Sequence, residues 1–379
     1  MVNQFLDKPT SNLLALAKKN PELNITLLAQ QIEGKNKAKN KIPSWYKNPD
    51  IVYPKRISME QCSSELTAKY KAKLFRGKKM IDLTGGFGVD CYFMSKSFEE
   101  CTHIEENKEL QSIVKLNFNT LNANIKSIRD DGLKVLKSNE DYYDLIYLDP
   151  DRRDKSNQKK IKLEDYNPNI TDNIDLLLKK GKQILIKTSP LLDIKKVLTQ
   201  IKKIKEVHIL SINNECKEVL YIINNEISEV EIFCLDLVKK HNLCFRLKDE
   251  EKKCKISNPM KFLYEPNKAI LKAGGYNTTA NYFELHKLNK NSHLYTSDKL
   301  ITNFPGRTFI IKAVCNLKNK EIYNFIKDNK ANITKRNFPI SINSIRKKTG
   351  LKDGGNKYIF ATRISNDKPK IIICEKISK

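Results

Sequence analysis

Glycine is scarce in this sequence, with 13 residues in 379, and cysteine motifs are absent. The nine cysteines are odd in number and scattered, with no Cys-x-x-Cys pair, so neither a disulfide framework nor a zinc site is indicated. No apolar run reaches the roughly 18 residues of a transmembrane helix, and the first residues lack the pattern of a secretory signal. We therefore expect a protein of the reducing cytoplasm that has no membrane span and binds no metal.

Acidic residues are also in short supply, because 70 Lys and Arg face 44 Asp and Glu, a net charge of +26. Such an excess attracts a polyanion through phosphate contacts and counterion release. Half of it lies in residues 301–379, where 18 Lys and Arg face 5 Asp and Glu. We expect this region to contact nucleic acid, although a lysine-rich composition alone, with 60 of the 70 being Lys, would also give a basic surface.

Three of the few glycines lie within four positions, between an apolar run at 79–83 and a helical pattern that starts at residue 89. Such a strand-to-helix turn keeps side chains away and accepts a nucleotide. A dinucleotide fingerprint that starts at Gly86 would need glycine at position 91, where the chain has Cys91. The pattern Asp-x-Thr-Gly-Gly-x-Gly instead resembles the first motif of class I S-adenosylmethionine (SAM) methyltransferases. This resemblance implies that SAM is bound by Asp82, Thr84, Gly85, Gly86 and Gly88.

Acids follow the next two predicted strands as well. Glu105 ends the second strand, 17 residues beyond Gly88, where an acid accepts hydrogen bonds from both ribose hydroxyls of a nucleoside cofactor. Asp130 and Asp131 follow the third strand, and one of them can receive the adenine amino group. The register favours Asp131. A solvated loop charge is the alternative for each of these acids.

The predicted fourth strand, residues 143–148, runs into Asp149-Pro150-Asp151-Arg152. In a doubly wound sheet this segment lies beside the glycine turn, where the strand order reverses and ligands bind. Amino methyltransferases carry Asp-Pro-Pro-aromatic here, and the resemblance implies that Asp149 and Pro150 are catalytic. Because Asp151 and Arg152 replace the second proline and the aromatic residue, a base amine as the target does not follow.

Cationic side chains near this segment are candidate substrate contacts. Adjacent arginines can bind phosphate bidentately or stack on a base, with a surface salt-bridge pair as the alternative. A lysine also ends the fifth predicted strand. The candidates are Arg152, Arg153 and Lys187.

The last two predicted strands, 207–212 and 219–223, are joined by a short connection and must therefore pair antiparallel. Five parallel strands plus such a hairpin match the sheet of a class I methyltransferase and not the six parallel strands of a dehydrogenase. The chain as a whole resembles bacterial class I SAM-dependent methyltransferases with a C-terminal THUMP-like domain. The matching stretches are 61–72, 82–90, 148–153, 187–194, 214–218, 291–297, 304–307, 336–339 and 353–355.

The resemblance implies an α/β fold with a Rossmann-like class I methyltransferase sheet, parallel except for its last strand. We expect an N-terminal helical region at 1–75, a SAM-binding domain at 76–226, a ferredoxin-like linker domain at 227–300 and a basic THUMP-like α+β domain at 301–379. Helical spacing predicts helices at 12–18 and 23–32, a basic linker at 35–41, and one helix that begins at Ser58 and continues to residue 74.

The basic C-terminal region contains its own candidate RNA contacts. Phe338 lies near several basic residues in the sequence, a mixture suited to a phosphate backbone with a stacked base. The basic residues proposed to bind RNA are Arg346, Lys347 and Lys348, on one predicted short helix.

Three interpretations from different classes remain. The first is a SAM-dependent methyltransferase that acts on RNA, either tRNA or rRNA, mainly by aligning the methyl group with its acceptor. The others are a non-catalytic RNA-binding protein that retains the fold and an NAD-dependent oxidoreductase. The glycine spacing, Glu105 and the antiparallel end of the sheet favour the first.

Overall fold

The structure, a computed structural model, describes residues 24–152, 163–226 and 228–377. Its contacts divide the chain into two compact units. Unit 1 comprises Met1–Lys205 and Leu220–Ser228, and unit 2 comprises Glu206–Val219 and Glu229–Lys379. The helix predicted at 12–18 lies outside the described residues.

The described N-terminal region of unit 1 is helical, with two corrections to the predicted boundaries. The expected linker at 35–41 is the second half of a helix, because Lys35 and Ala38 pack into buried positions. The single helix expected from Ser58 is two helices, because Ser64 caps the second by accepting a hydrogen bond from Thr67 N at 3.2 Å. The helices are α1 (Ile25–Lys41), α2 (Pro43–Tyr46), α3 (Arg56–Gln61) and α4 (Glu65–Ala72).

Strands and helices then alternate, as the hydrophobic pattern predicts. The elements are β1 (Gly77–Asp82), α5 (Val89–Ser95), β2 (Phe98–Ile104), α6 (Lys108–Thr120), β3 (Ile125–Ile128), α7 (Gly132–Ser138), β4 (Tyr143–Leu148), β5 (Asp151–Arg152), β6 (Tyr166–Asn167), α8 (Ile170–Lys180), β7 (Gly181–Thr188) and α9 (Ile194–Gln200). Strand β1 pairs in parallel with both β2 and β4, and β4 pairs in parallel with β7. In the order β7-β4-β1-β2-β3, the chain adds strands on one side of β1 up to β3 and then on its other side from β4 onward. A doubly wound sheet binds its ligand at this switch point between β1 and β4.

A hairpin follows, formed by β8 (Ile204–Ile212) and β9 (Glu215–Ile223). Its two turn residues, Asn213 and Asn214, have φ of 52° and 62°, as a tight antiparallel hairpin requires and asparagine tolerates. The expected mixed sheet, parallel with an antiparallel last strand, is confirmed. Unit 2 also contains two strands that were not predicted: β10 (Glu231–Asp236), parallel to β8, and β11 (Leu243–Arg246), antiparallel to β10.

The rest of unit 2 is built on a second sheet of seven strands. The elements are β12 (Phe262–Pro266), α10 (Lys268–Ala273), α11 (Tyr276–Tyr282), β13 (His286–Lys287), β14 (Tyr295–Ser297), β15 (Gly306–Cys315), α12 (Asn319–Tyr323), β16 (Asn332–Arg336), α13 (Ile342–Thr349), β17 (Lys357–Arg363) and β18 (Pro369–Lys376). The strand order is β13-β14-β12-β15-β18-β17-β16. Because β12 pairs with β15, the domain boundary predicted at 300 falls between neighbouring strands of one sheet.

One predicted RNA contact is part of a core. Phe338 is 8% exposed and packs with Ile345, Ile359 and Ile373 beneath this sheet, so its ring has no free face for a base. The sequence showed an aromatic residue among basic ones, but the apolar residues of α13 and β17 draw the ring inward. Among the described residues, no helix is long and apolar enough to cross a membrane, and no group of three His, Cys, Asp or Glu is placed to hold a metal.

Candidate functional site

A cavity of about 540 Å³ opens at the carboxyl ends of β1, β2 and β4 in unit 1. Its volume lies in the range of small-molecule sites. The glycine turn and the ends of the central strands form one wall, and the segment between α3 and α4 forms another. The lining residues are Ser58, the segments 61–63, 83–90, 104–107, 131–133 and 167–169, and Leu110, Tyr147, Asp149, Asp151 and Asn173.

The glycines of the turn are required for different reasons. A Cβ on Gly85 would lie 2.2 Å from His103 Nε2, so the buried imidazole of β2 takes the place of a side chain. Gly86 has φ of +54°, and a Cβ there would meet nothing closer than the Thr84 carbonyl at 3.8 Å. Gly86 therefore leaves open space on the cavity wall, which is what a closely approaching ligand needs.

Glu105 lies beside this open space, fixed by two backbone donors. Gly86 N donates to Oε2 at 2.9 Å and Asn107 N donates to Oε1 at 2.8 Å. Burial raises the pKa of the carboxyl, and these two hydrogen bonds oppose the shift. Each oxygen keeps a lone pair for a further donor, so the carboxylate is ready to accept hydrogen bonds from neighbouring hydroxyls.

The other acids predicted to bind the cofactor occupy different positions. Asp131 lies on the cavity wall and also caps α7, since its Oδ1 accepts a hydrogen bond from Lys134 N at 3.0 Å. Asp82 is 1% exposed and lies beneath the turn, where its Oδ1 accepts from Thr84 N at 3.0 Å. Burial raises the Asp82 pKa well above its ordinary value. Asp82 therefore supports the turn from below and does not line the cavity.

Asp149 and Lys187, predicted separately, form an ion pair. Lys187 Nζ lies 2.5 Å from Asp149 Oδ2, with the lysine side chain 7% exposed and the aspartate side chain 36% exposed. Asp149 N also donates to Thr84 Oγ1 at 2.6 Å, which fixes the start of the segment against the glycine turn. Burial raises the pKa of Asp149 and the Lys187 ammonium opposes the shift. Pro150 is buried next to it, Arg152 lies in β5, and Arg153 lies outside the described residues.

A buried network around Asp90 was missed in the sequence. Lys71 is fully buried and its Nζ lies 2.9 Å from Asp90 Oδ1, while Ser63 and Tyr147 donate their hydroxyls to Oδ2 at 2.6 and 2.7 Å. Burial alone would raise the Asp90 pKa, but Lys71, Lys187 and the two hydroxyls lower it by more than burial raises it. The net pKa is therefore lowered and the carboxylate is ionised. An acid in the first turn of the otherwise apolar α5 was the available signal. Lys71 gave none, because a lysine on a short helix normally faces solvent.

The three basic residues of α13 do not form one surface. Lys347 and Lys348 are exposed. Arg346 instead points back to the loop after the helix, where it donates to the Leu351 carbonyl at 3.1 Å and pairs with Asp353 Oδ1 at 2.5 Å. It therefore holds its own loop in place, and the two lysines are left as candidate RNA contacts on this helix.

Three protein-family profiles match the chain. One, described as conserved hypothetical protein 95, covers residues 63–209. A ferredoxin-like domain covers 262–305, and a THUMP domain-like profile covers 306–376. Among curated proteins, none matches.

A solved structure from Porphyromonas gingivalis W83, named as a methyltransferase, is similar over 100% of this chain and 96% of its own, with a TM-score of 0.89 and 27% identity. An rRNA methylase of Streptococcus thermophilus matches 42% of this chain and 93% of its own, at 13% identity and a TM-score of 0.31. The 16S rRNA N2 G1207 methyltransferase of T. thermophilus, in complex with AdoMet and guanosine, matches 46% of this chain and 44% of its own, at 11% identity and a TM-score of 0.34. At such scores the last two likenesses show nothing beyond a partial match.

The profile over the parallel sheet, the THUMP domain-like profile over 306–376 and the full-length likeness to the P. gingivalis structure agree with one another. They also agree with the mixed sheet, whose strand order reverses beside the cavity. Residues 63–209 thus match the conserved hypothetical protein 95 family and residues 306–376 a THUMP domain-like family, and the whole chain is similar to a solved structure that is named as a methyltransferase.

Proposed function

We propose that this protein is a SAM-dependent methyltransferase that acts on RNA. The observation that carries the cofactor assignment is the pairing of an open position at Gly86 with a carboxylate, Glu105, held 2.9 Å from the Gly86 amide. A nucleoside needs close backbone approach and an acceptor for its ribose hydroxyls, and the cavity supplies both. Asp131 lies on the same wall and provides an acceptor for an adenine amino group.

SAM, when bound, supplies an electrophilic methyl group, and the residues of this chain position the acceptor. Asp149 is held in place from two sides, by Lys187 through Oδ2 and by Thr84 through the backbone amide. Its side chain remains about one third exposed on the cavity wall. There the carboxylate accepts a hydrogen bond from the N–H or O–H of the group that receives the methyl, and this hydrogen bond fixes the orientation of that group. Because alignment supplies most of the rate in such transfers, this positioning is the main catalytic contribution of the chain.

Cys62 bears on the kind of acceptor. It lies on the cavity wall, and burial raises the pKa of its thiol to about 11, although Lys41 and Lys187 oppose the shift. A thiol with that pKa stays protonated near neutral pH and is a poor nucleophile. Methylation at a ring carbon through a covalent cysteine adduct is therefore disfavoured, and an amino nitrogen or a hydroxyl is the better acceptor.

The RNA assignment depends on charge and on domain type. Residues 301–379 hold 18 Lys and Arg against 5 Asp and Glu, and the THUMP domain-like profile covers most of that range. A basic surface of this kind binds a phosphate backbone. Mass spectrometry of RNA nucleosides from cells with and without the protein should reveal one methylated nucleoside that depends on it, and identical profiles would contradict the proposal.

Calorimetry tests the cofactor separately. We expect SAM and S-adenosylhomocysteine to bind and NAD not to bind. Gly86→Val should abolish binding because its side chain enters the ligand space. Gly274→Val is the matched control, since Gly274 also has a positive φ, +78°, and nothing within 4 Å, but lies in unit 2. Tighter binding of NAD, or equal loss of SAM binding in both variants, would reject the cofactor site.

A further inference from the structure

A cluster of charged and aromatic side chains in unit 2 takes no part in the proposed chemistry. Three of the sequence stretches that the family resemblance singled out meet there: 291–297, 304–307 and 336–339. They contribute His293, Arg307 and Arg336. The fourth member is Glu265 of β12, whose side chain is 4% exposed.

Glu265 holds the two arginines side by side. Arg307 is its cross-strand partner on β15 and donates Nε to Oε2 at 2.6 Å, while Arg336, at the end of β16, donates Nη2 to Oε1 at 3.2 Å. Both guanidinium groups remain partly accessible, with the Arg307 side chain 27% exposed and that of Arg336 29% exposed. One buried carboxylate thus fixes two guanidinium groups, and its single negative charge offsets only one of their two positive charges.

The surroundings add more positive charge. Lys287 is 4% exposed, donates to the Lys290 carbonyl at 3.0 Å and lies 5.9 Å from the centre of the Tyr276 ring. The His293 ring stacks on the same tyrosine, with centroids 3.6 Å apart and planes 16° apart. Burial, followed by Lys287 and Arg336, lowers the pKa of His293 to about 4. The imidazole is therefore neutral near pH 7, mainly because it is buried and also because two cations lie nearby.

Two polar atoms of the cluster have no partner although they are buried. They are Arg336 Nε and His293 Nδ1. Nearly all buried polar groups in folded proteins are hydrogen-bonded, so two orphans in one cluster indicate a group that completes it. The group that fits is an anion that accepts hydrogen bonds, because Arg336 Nε can only donate and the three cations Arg307, Arg336 and Lys287 outnumber the two nearby carboxylates, Glu265 and Glu250. Phosphate has that charge and oxygen geometry, and arginine binds it with paired donors.

We propose that Arg307, Arg336 and His293 form a phosphate site in unit 2 that receives one phosphate group of the RNA strand. The inference deepens the proposed function, since it depends on RNA being the substrate and names where one phosphate of it is held. Glu265 positions the two arginines and does not contact the ligand. A purely structural ion-pair network would explain the Glu265 contacts, but it would leave both orphan atoms and the excess of cations without a role.

The direct test uses inorganic phosphate on the full chain, followed through the NMR signals of the His293 ring and assigned with His293→Gln. An anion stabilises the imidazolium, so phosphate should shift these signals and raise the His293 pKa. Arg336→Gln should abolish the shift. Arg363→Gln is the matched control, because Arg363 is 31% exposed and also pairs with one carboxylate, that of Asp367, on the same sheet. Unshifted His293 signals at millimolar phosphate would overturn the site.

A second arm uses a single-stranded oligoribonucleotide across a salt series. Arg336→Gln should bind it about tenfold more weakly, the effect of one lost charge-assisted contact, and reduce the salt slope by about one. Arg363→Gln should change the slope less. If Arg336→Gln fails to fold, Arg336→Lys keeps the charge but loses the fork, and an RNA affinity equal to wild type there would count against the site. SAM calorimetry on the same variants separates the outcomes, because failure of SAM binding would reject the proposed activity and leave the phosphate result standing.

Discussion

The two units use charged side chains in opposite ways. In unit 1, Asp90 and Asp149 pair with Lys71 and Lys187 beside a cavity that also holds Glu105. Carboxylates match or outnumber cations there, which suits a ligand with hydroxyls, amino groups and a positively charged sulfur. In unit 2, Glu265 is shared by two arginines with Lys287 nearby, and the cations prevail. The contrast shows that the total of +26 is not spread evenly, because acids cluster around the proposed cofactor cavity and cations around the proposed phosphate site.

The largest effect is expected where the contrast depends on burial. Lys71→Met leaves the Asp90 carboxylate buried without its cation, and removal of one partner from a buried pair costs about 3–5 kcal/mol of the free energy of unfolding. Urea denaturation measures this loss. Lys55→Met is the control, because its pair with Glu109 is exposed, with side chains 65% and 55% accessible, and contributes little. Equal losses in the two variants would mean that the Asp90 network is not a centre of stability.

A slightly smaller effect should appear with pH. Burial lowers the pKa of His103, beneath Gly85, from 6.5 to about 4. Between these values the unfolded chain binds a proton that the folded chain does not, so the free energy of unfolding falls as pH falls from 6.5 to 4. The shift corresponds to a loss of about 3 kcal/mol. Denaturation across this range should show the decline in wild type and a shallower one in His103→Gln. If the free energy of unfolding fell equally with pH in wild type and in His103→Gln, a group other than His103 would be responsible.

Asp149→Asn tests the catalytic side of the comparison. The amide keeps the shape of the side chain but loses the charge that pairs with Lys187, so the acceptor is no longer held in one orientation. A small misplacement in such a site costs about 100-fold in rate. Formation of the methylated nucleoside in cells that carry each variant measures the loss. Asp130→Asn, an acid near the cavity but not on its wall, should behave as wild type. Full activity of Asp149→Asn would exclude Asp149 from catalysis.

Local signals explain what could be predicted from the sequence. The glycine turn and the hairpin follow from backbone requirements of a few neighbouring residues. The structure has the glycine turn and Glu105 at their predicted positions, whereas the hairpin turn is shorter than predicted, with only Asn213 and Asn214 between the strands in place of 213–218. The placements that failed depend on distant partners. Lys71 is buried because Asp90, 19 positions away, needs a cation, and Phe338 is buried because strands β17 and β18 come later in the chain.

The arginines of unit 2 show the same limit. Arg336 meets Glu265 across 71 positions of sequence, and no local pattern announces that pairing. From the sequence, Arg346 was grouped with Lys347 and Lys348 as one set of RNA contacts. The structure separates those bound to carboxylates, such as Arg346, from those exposed to solvent.

The smallest expected effect comes from the exposed lysines of α13, and it sharpens the basic side of the comparison. Lys347 and Lys348 extend into solvent at the end of the helix, whereas Arg346 is tied to Asp353. If the two lysines contact phosphates, the double change Lys347→Ala and Lys348→Ala should reduce the salt slope of RNA binding by about two and leave the melting temperature unchanged.

Arg346→Ala should instead lower the melting temperature with a smaller change in slope, because its hydrogen bonds hold the loop after the helix. RNA affinity over a salt series, with SAM affinity as a control that should not change in either variant, distinguishes the two. An unchanged slope in the double variant would make the charge of α13 a solvated surface and restrict the RNA contacts of unit 2 to other residues, such as Arg307 and Arg336.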